Sequence, residues 1–287
     1  MDQAEEMRLV RVAAMRRVEE LDAEIARTEG NRIVAALRPV RTSYTIFTGN
    51  ARELAKLFAL NATPQSIPIL WSVRNRALLD AFLAEVERHL HNYVASAMSL
   101  VEHTRRAMRE IYPPESRGRT QYEGRVRADF GESPESNFVQ DLRDFFLHVD
   151  APAIVARMLW SQGEGEHRQF LLPRVLLQGW DRWSRLAKDY LANQPDDVSL
   201  EPLITSYTTR VTAFYVWLDR WNHEQKVEAF NELEELNSKV RQTIIEGGLA
   251  DPNDELTRPR SPEELREVVK QLAAIRLEPS AMNESSS

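Results

Sequence analysis

From Ser72 or Arg76 to Tyr112 one apolar stripe persists for about ten helical turns. Phe82, Val86, Leu90, Tyr93, Ala97, Leu100, Val101, Met108 and Ile111 follow a helical period, so this segment reads as one long helix with a buried face. Pro113 and Pro114 end it, because proline lacks the N–H donor that a helix interior requires. A helix of this length needs partners along its whole face, and the rest of the chain supplies helices. The 287 residues contain only ten glycines, and the β-branched residues are scattered without alternation. The expectation is an all-α bundle with an N-terminal helical extension.

The flanking elements follow from the same signals. Met7, Val10, Ala14, Val18, Leu21 and Ile25 predict a helix from Glu5 to about Thr28, stopped by Gly30. Its spacing suits either a partner helix or packing on its own domain. Residues 38–70 are less regular: "RTSYTIFTGN" has strand-like composition, Asn50 reads as a cap for "ARELAKLFAL", and "NATPQSIPIL" reads as a loop. The stretch 113–133 reads as a polar loop, after which Ser133-Pro134-Glu135 predicts an N-cap with proline at the first helical position. Further helices are expected within 166–192, with Pro173 starting one or kinking it, and from Leu200 to Glu246, ended by Gly247-Gly248. "SPEELREVVKQLAAI" (261–275) predicts a short last helix capped by Ser261, with Glu264 at the capping-box position.

Composition removes several chemistries. The chain has no cysteine, which excludes disulfides, zinc–thiolate sites and thiol nucleophiles and fits a reducing compartment. No run reaches the roughly 18 apolar residues of a membrane span, and the charged amino terminus does not read as a signal peptide, so a cytoplasmic location is expected. The formal charge of −7 opposes indiscriminate nucleic-acid binding, which depends on phosphate neutralisation by Lys and Arg. Positions 105–127 reverse that balance locally, with seven arginines against three glutamates. No glycine-rich phosphate loop, HExxH motif or serine elbow is present, and no cofactor or metal is expected.

The strongest chemical feature is "FVQDLRDFFLH", residues 138–148. Phe138, Leu142, Phe145 and Val149 share one face, yet the helix also carries Arg143, Asp144 and His148. Asp144 and His148 are four apart, so the carboxylate can orient the imidazole. Arg143 lies about 140° from His148 on an ideal helix. The simpler alternative leaves Arg143 paired with Asp141 or Glu135 and His148 favouring the helix carboxyl end. On the preceding helix Asn92, Ser96, Ser99 and His103 follow spacings of four, three and four beside the apolar stripe. They suit either the second wall of a pocket or a hydrogen-bonded ridge between helices. Asn92, Ser99, His103, Arg106 and Arg109 are the candidate pocket-lining or RNA-binding residues. Trp180, Trp183, Trp217 and Trp221 read as core.

"LRDFFLH" resembles the signature of the HEPN superfamily, an arginine, four to six residues and a histidine, often with a polar residue directly after the arginine. "HNYVASAMSLVEHTRR" resembles the helix that packs beside the motif in bacterial members. The resemblance covers about residues 76–220, and the organisation expected around it is a helical bundle over 71–247, preceded by the 1–70 extension and loop region. A linker and short helix (248–278) and a disordered tail (279–287) would follow it. The resemblance implies a metal-independent endoribonuclease in a bacterial defence or toxin–antitoxin setting, with RNA as substrate and a homodimer that faces its two motifs together. His148 would move the proton, Arg143 would stabilise phosphoryl charge and Asp144 would orient the ring. Other members have lost catalysis, and the corresponding expectation is an interaction protein that holds a protein partner, through this surface and the N-terminal helix, or a nucleotide.

Overall fold

A computed structural model of the chain describes residues 2–149, 154–161, 165–194, 196–249 and Glu264. It is a mostly helical bundle with one small sheet. The backbone divides into two compact units, residues 29–230 and residues 1–28 together with 231–287. Among the described residues no helix is long and apolar enough to cross a membrane.

The larger unit is organised around α4 (Arg76–Ile111), the long helix that the stripe predicts. Against it lies α2 (Glu29–Ala62), a single helix running through Pro39. The two are antiparallel. Arg32 Nη1 donates to Glu110 O at 2.8 Å, Ser43 Oγ meets His103 Nδ1 at 2.6 Å, and Asn50 Nδ2 donates to Asn92 O at 3.2 Å. The strand-like reading of 41–50 and the cap at Asn50 are therefore corrected. Ile33, Leu37, Val40, Phe47, Ala51, Leu54 and Phe58 bury one helical face, and that burial outweighs weak local propensity. Thr45 and Thr48 return their hydroxyls to the carbonyls of Arg41 and Tyr44, which accommodates polar β-branched residues within a helix. In "NATPQSIPIL" Pro64 lies in a turn and Pro68 in the first turn of the short α3 (Ile67–Leu70).

The expected loop after α4 is corrected as well. Ser116 accepts from Arg119 N–H and opens α5 (Arg117–Val126), followed by a wider π turn, Arg127–Gly131. Gly118 is required there, since any Cβ at that position would run into the Tyr112 ring. Next comes α6 (Pro134–His148), capped by Ser133 with Pro134 in its first turn. Phe138, Val139, Leu142 and Phe145 are buried, and Phe138 packs on both Trp183 and Tyr190 of the segment that follows.

Residues 155–172 contain a hairpin where no strand was expected. β1 (Val155–Ser161) pairs antiparallel with β2 (Gly165–Leu172), whose end pairs with β3 (Val198–Ser199). Buried Phe170 packs on Phe58 and Phe82 at 6.1 and 5.8 Å, anchoring the hairpin through a few residues of β2. Pro173 precedes the short α7 (Arg174–Gln178), and Ser184 caps α8 (Arg185–Ala192). The helix expected over 200–246 is two, α9 (Leu200–Gln225) and α10 (Val227–Glu246). Lys226 marks the break, donating to Glu29 Oε1 at 2.7 Å and standing 5.6 Å from the Tyr112 ring centre. That hydrogen bond is the main reason the Glu29 carboxyl titrates below its ordinary value.

In the smaller unit, α1 (Gln3–Ile25) buries Ala14 and Leu21. The end of α10 approaches so closely that a Cβ on Gly247 would collide with Ala14. Gly248 adopts φ 61°, and the Leu249 N–H closes back on Ile244 O at 3.0 Å, a left-handed helix ending that glycine tolerates without strain. The helix expected over 261–275 and the tail 279–287 lie outside the described residues, apart from Glu264.

Candidate functional site

α4 and α6 pack against each other and line between them a cleft of about 610 Å³. Small side chains on α4, Ala95 and Ser99, leave room for it. The α4 wall also presents His91, Met98, Glu102 and His103, and the α6 wall presents Gln140, Asp141, Arg143, Asp144, Phe146 and Leu147. His91 stacks on Phe146, with ring centres 6.0 Å apart. From His91 to His103 is twelve residues, so the cleft follows α4 for roughly 18 Å.

Arg143 and Asp144 stand in this wall and pair with each other, Nη1 to Oδ1, at 3.3 Å, with side chains 48% and 55% exposed. The partner of Arg143 is thus its chain neighbour. Of the two carboxylates set against it by the simpler reading, Asp141 accepts the Ser184 N–H at 2.7 Å, capping α8. Glu135 accepts from Ser206 Oγ at 2.8 Å and lies 3.8 Å from Arg210 Nη2. Glu102 pairs with Arg105 at 2.7 Å.

Ser99 and His103 line the opposite wall. The Ser99 hydroxyl donates to Ala95 O at 3.1 Å within its own helix. His103 is tied to buried Ser43 through Nδ1, which fixes the imidazole from the α2 side. The other candidates lie elsewhere. His148, the last residue of α6, is exposed and outside the cleft lining. Asn92 is half-buried in the α2–α4 seam. Arg106 and Arg109 are exposed beyond the cleft, on nearly the same side of α4 as Glu102. The structure therefore brings Arg143 and Asp144 together with Ser99 and His103, and leaves His148 out.

His91, Met98, Glu102, Phe146 and Leu147 were not among the candidates. For His91, Met98 and Glu102 a signal was present in the spacing: positions 91, 95, 98 and 102 repeat every four, three and four residues beside the apolar stripe of α4. Among the described residues no group of three or more His, Asp or Glu is placed to hold a metal ion. Comparisons with protein-family models, with curated proteins and with solved structures gave no match.

Proposed function

We propose that the α4–α6 cleft docks a protein segment bearing both cationic and apolar side chains, and that the chain works as a helical interaction protein. The observation carrying this reading is the lining: Glu102, Asp141 and Asp144 outnumber Arg143 within it and Arg105, which pairs with Glu102 from outside it, and they are interleaved with Met98, Phe146 and Leu147. Excess negative charge attracts Lys and Arg and repels phosphates. Three large apolar side chains supply the burial that an amphipathic helix in a groove uses. Each exposed ion pair adds only about 0.2–1 kcal/mol, so the apolar contacts would carry most of the affinity and the charges would select the partner.

A second reading, a HEPN-like metal-independent ribonuclease, is favoured by one observation. Arg106 and Arg109 stand exposed beyond the cleft mouth with no ion pair among the described residues. In that reading they track RNA phosphates, Arg143 stabilises the phosphoryl oxygens and a histidine transfers the proton. Incubating the protein with RNA in excess chelator separates the two. The docking reading expects no cleavage that depends on cleft residues. Cleavage lost in both Arg143→Ala and His103→Ala would replace it with a nuclease built on the cleft. Cleavage lost in Arg143→Ala and His148→Ala would instead restore the pair expected from the sequence.

A further inference from the structure

The outer face of α1 carries a pattern that complements itself. On an ideal helix Glu5, Leu9, Val12 and Arg16 fall within an arc of about 60°, roughly 160° from Ala14 and Leu21, the residues that α1 buries. Leu9 and Val12 are 50% and 52% exposed. Glu5 and Arg16 are exposed, and neither is in an ion pair among the described residues, whereas neighbouring Arg17 is held by Glu20. Read along the helix the face is acid, apolar, apolar, base. Reversed, it is the mirror of itself in charge.

We propose that this face is an interface with a second copy of the chain, in which two α1 helices pair antiparallel about a twofold axis. Glu5 then faces Arg16 of the other copy, and Leu9 faces Val12, each contact occurring twice as an isologous interface requires. A parallel pairing would set Glu5 against Glu5 and Arg16 against Arg16, so the charges select the antiparallel arrangement. The occupant is a copy of this chain because it brings both the opposite charge and the apolar pair at matching positions. The inference uses none of the cleft residues and stands apart from the docking reading.

Sedimentation equilibrium on the full chain tests it through a charge swap. The wild type is expected to dimerise reversibly. Glu5→Arg and Arg16→Glu should each weaken the dimer about tenfold, because each turns two exposed attractions into repulsions, and Leu9→Glu should abolish it. The double variant Glu5→Arg/Arg16→Glu should return to within about twofold of the wild type. Since all four residues are exposed, circular dichroism should be unchanged throughout. A wild type that stays monomeric at every concentration would overturn the proposal, as would single charge variants that dimerise undiminished or a double variant that fails to recover.

Discussion

Phe138→Ala is expected to cost about 3–5 kcal/mol of stability, the largest effect of any single substitution considered for this chain. Phe138 has 0% exposure. Its ring lies 4.9 Å from Tyr190 in a stacked arrangement and 5.2 Å from Trp183, while Phe145 stacks on Trp183 at 5.5 Å. Removing the ring takes away apolar burial and leaves a cavity that rigid aromatic neighbours fill poorly. Burial of Tyr190 among these rings pushes its hydroxyl up to about 12. Urea unfolding followed by tryptophan fluorescence should show a lower midpoint with an unchanged slope. A loss below about 1 kcal/mol would mean that α6 is not held by this aromatic block. The cleft depends on this packing because α6 supplies one of its walls.

The second large effect concerns that cleft. Glu102→Lys combined with Asp144→Lys should weaken binding of a fluorescein-labelled, leucine- and lysine-patterned helical peptide by about 10- to 100-fold. The double change leaves three cations facing Asp141 alone. Two exposed attractions become repulsions, together worth on the order of 1.5–3 kcal/mol, which is that range in Kd. Asp141 is left in place because it caps α8, and a fold defect there would mimic lost binding. Wild-type binding should also weaken as salt rises, since both charges are exposed and screened. Equal affinity of the peptide for wild type and double variant would remove the electrostatic part of the account.

α4 and α6 were legible, as was the end of α10, because each carries an apolar period with a chemical start or stop. Pro113-Pro114 ends α4, Ser133-Pro134 opens α6 and Gly247-Gly248 follows α10. Residues 41–50 misled because Thr, Tyr, Ile and Phe favour strands locally, while the seam with α4 and the back-bonded Thr45 and Thr48 are tertiary and local effects that propensity omits. The hairpin at 155–172 was hidden for a related reason. Phe170, Leu171 and Leu172 are all buried, so its anchored end shows no alternation of apolar and polar residues. The cleft was half legible. The polar flank of α4 and the Arg143-Asp144 pair mark its two walls, whereas His148 shares their motif but sits at the helix end, one residue past Leu147, the last to reach the cleft. The acidic balance of the lining is invisible along the chain. It arises only when Glu102 of α4 is set opposite Asp141 and Asp144 of α6.

Because the chain has no cysteine, Ser99→Cys introduces a unique thiol in the cleft wall, at a hydroxyl that bonds only within its own helix. An environment-sensitive dye on that thiol, titrated with the leucine–lysine peptide and, separately, with single-stranded RNA, tests the central claim most directly. Docking of a basic apolar segment in the cleft predicts a saturable shift with the peptide and none with RNA, while a shift with RNA and none with the peptide would contradict it.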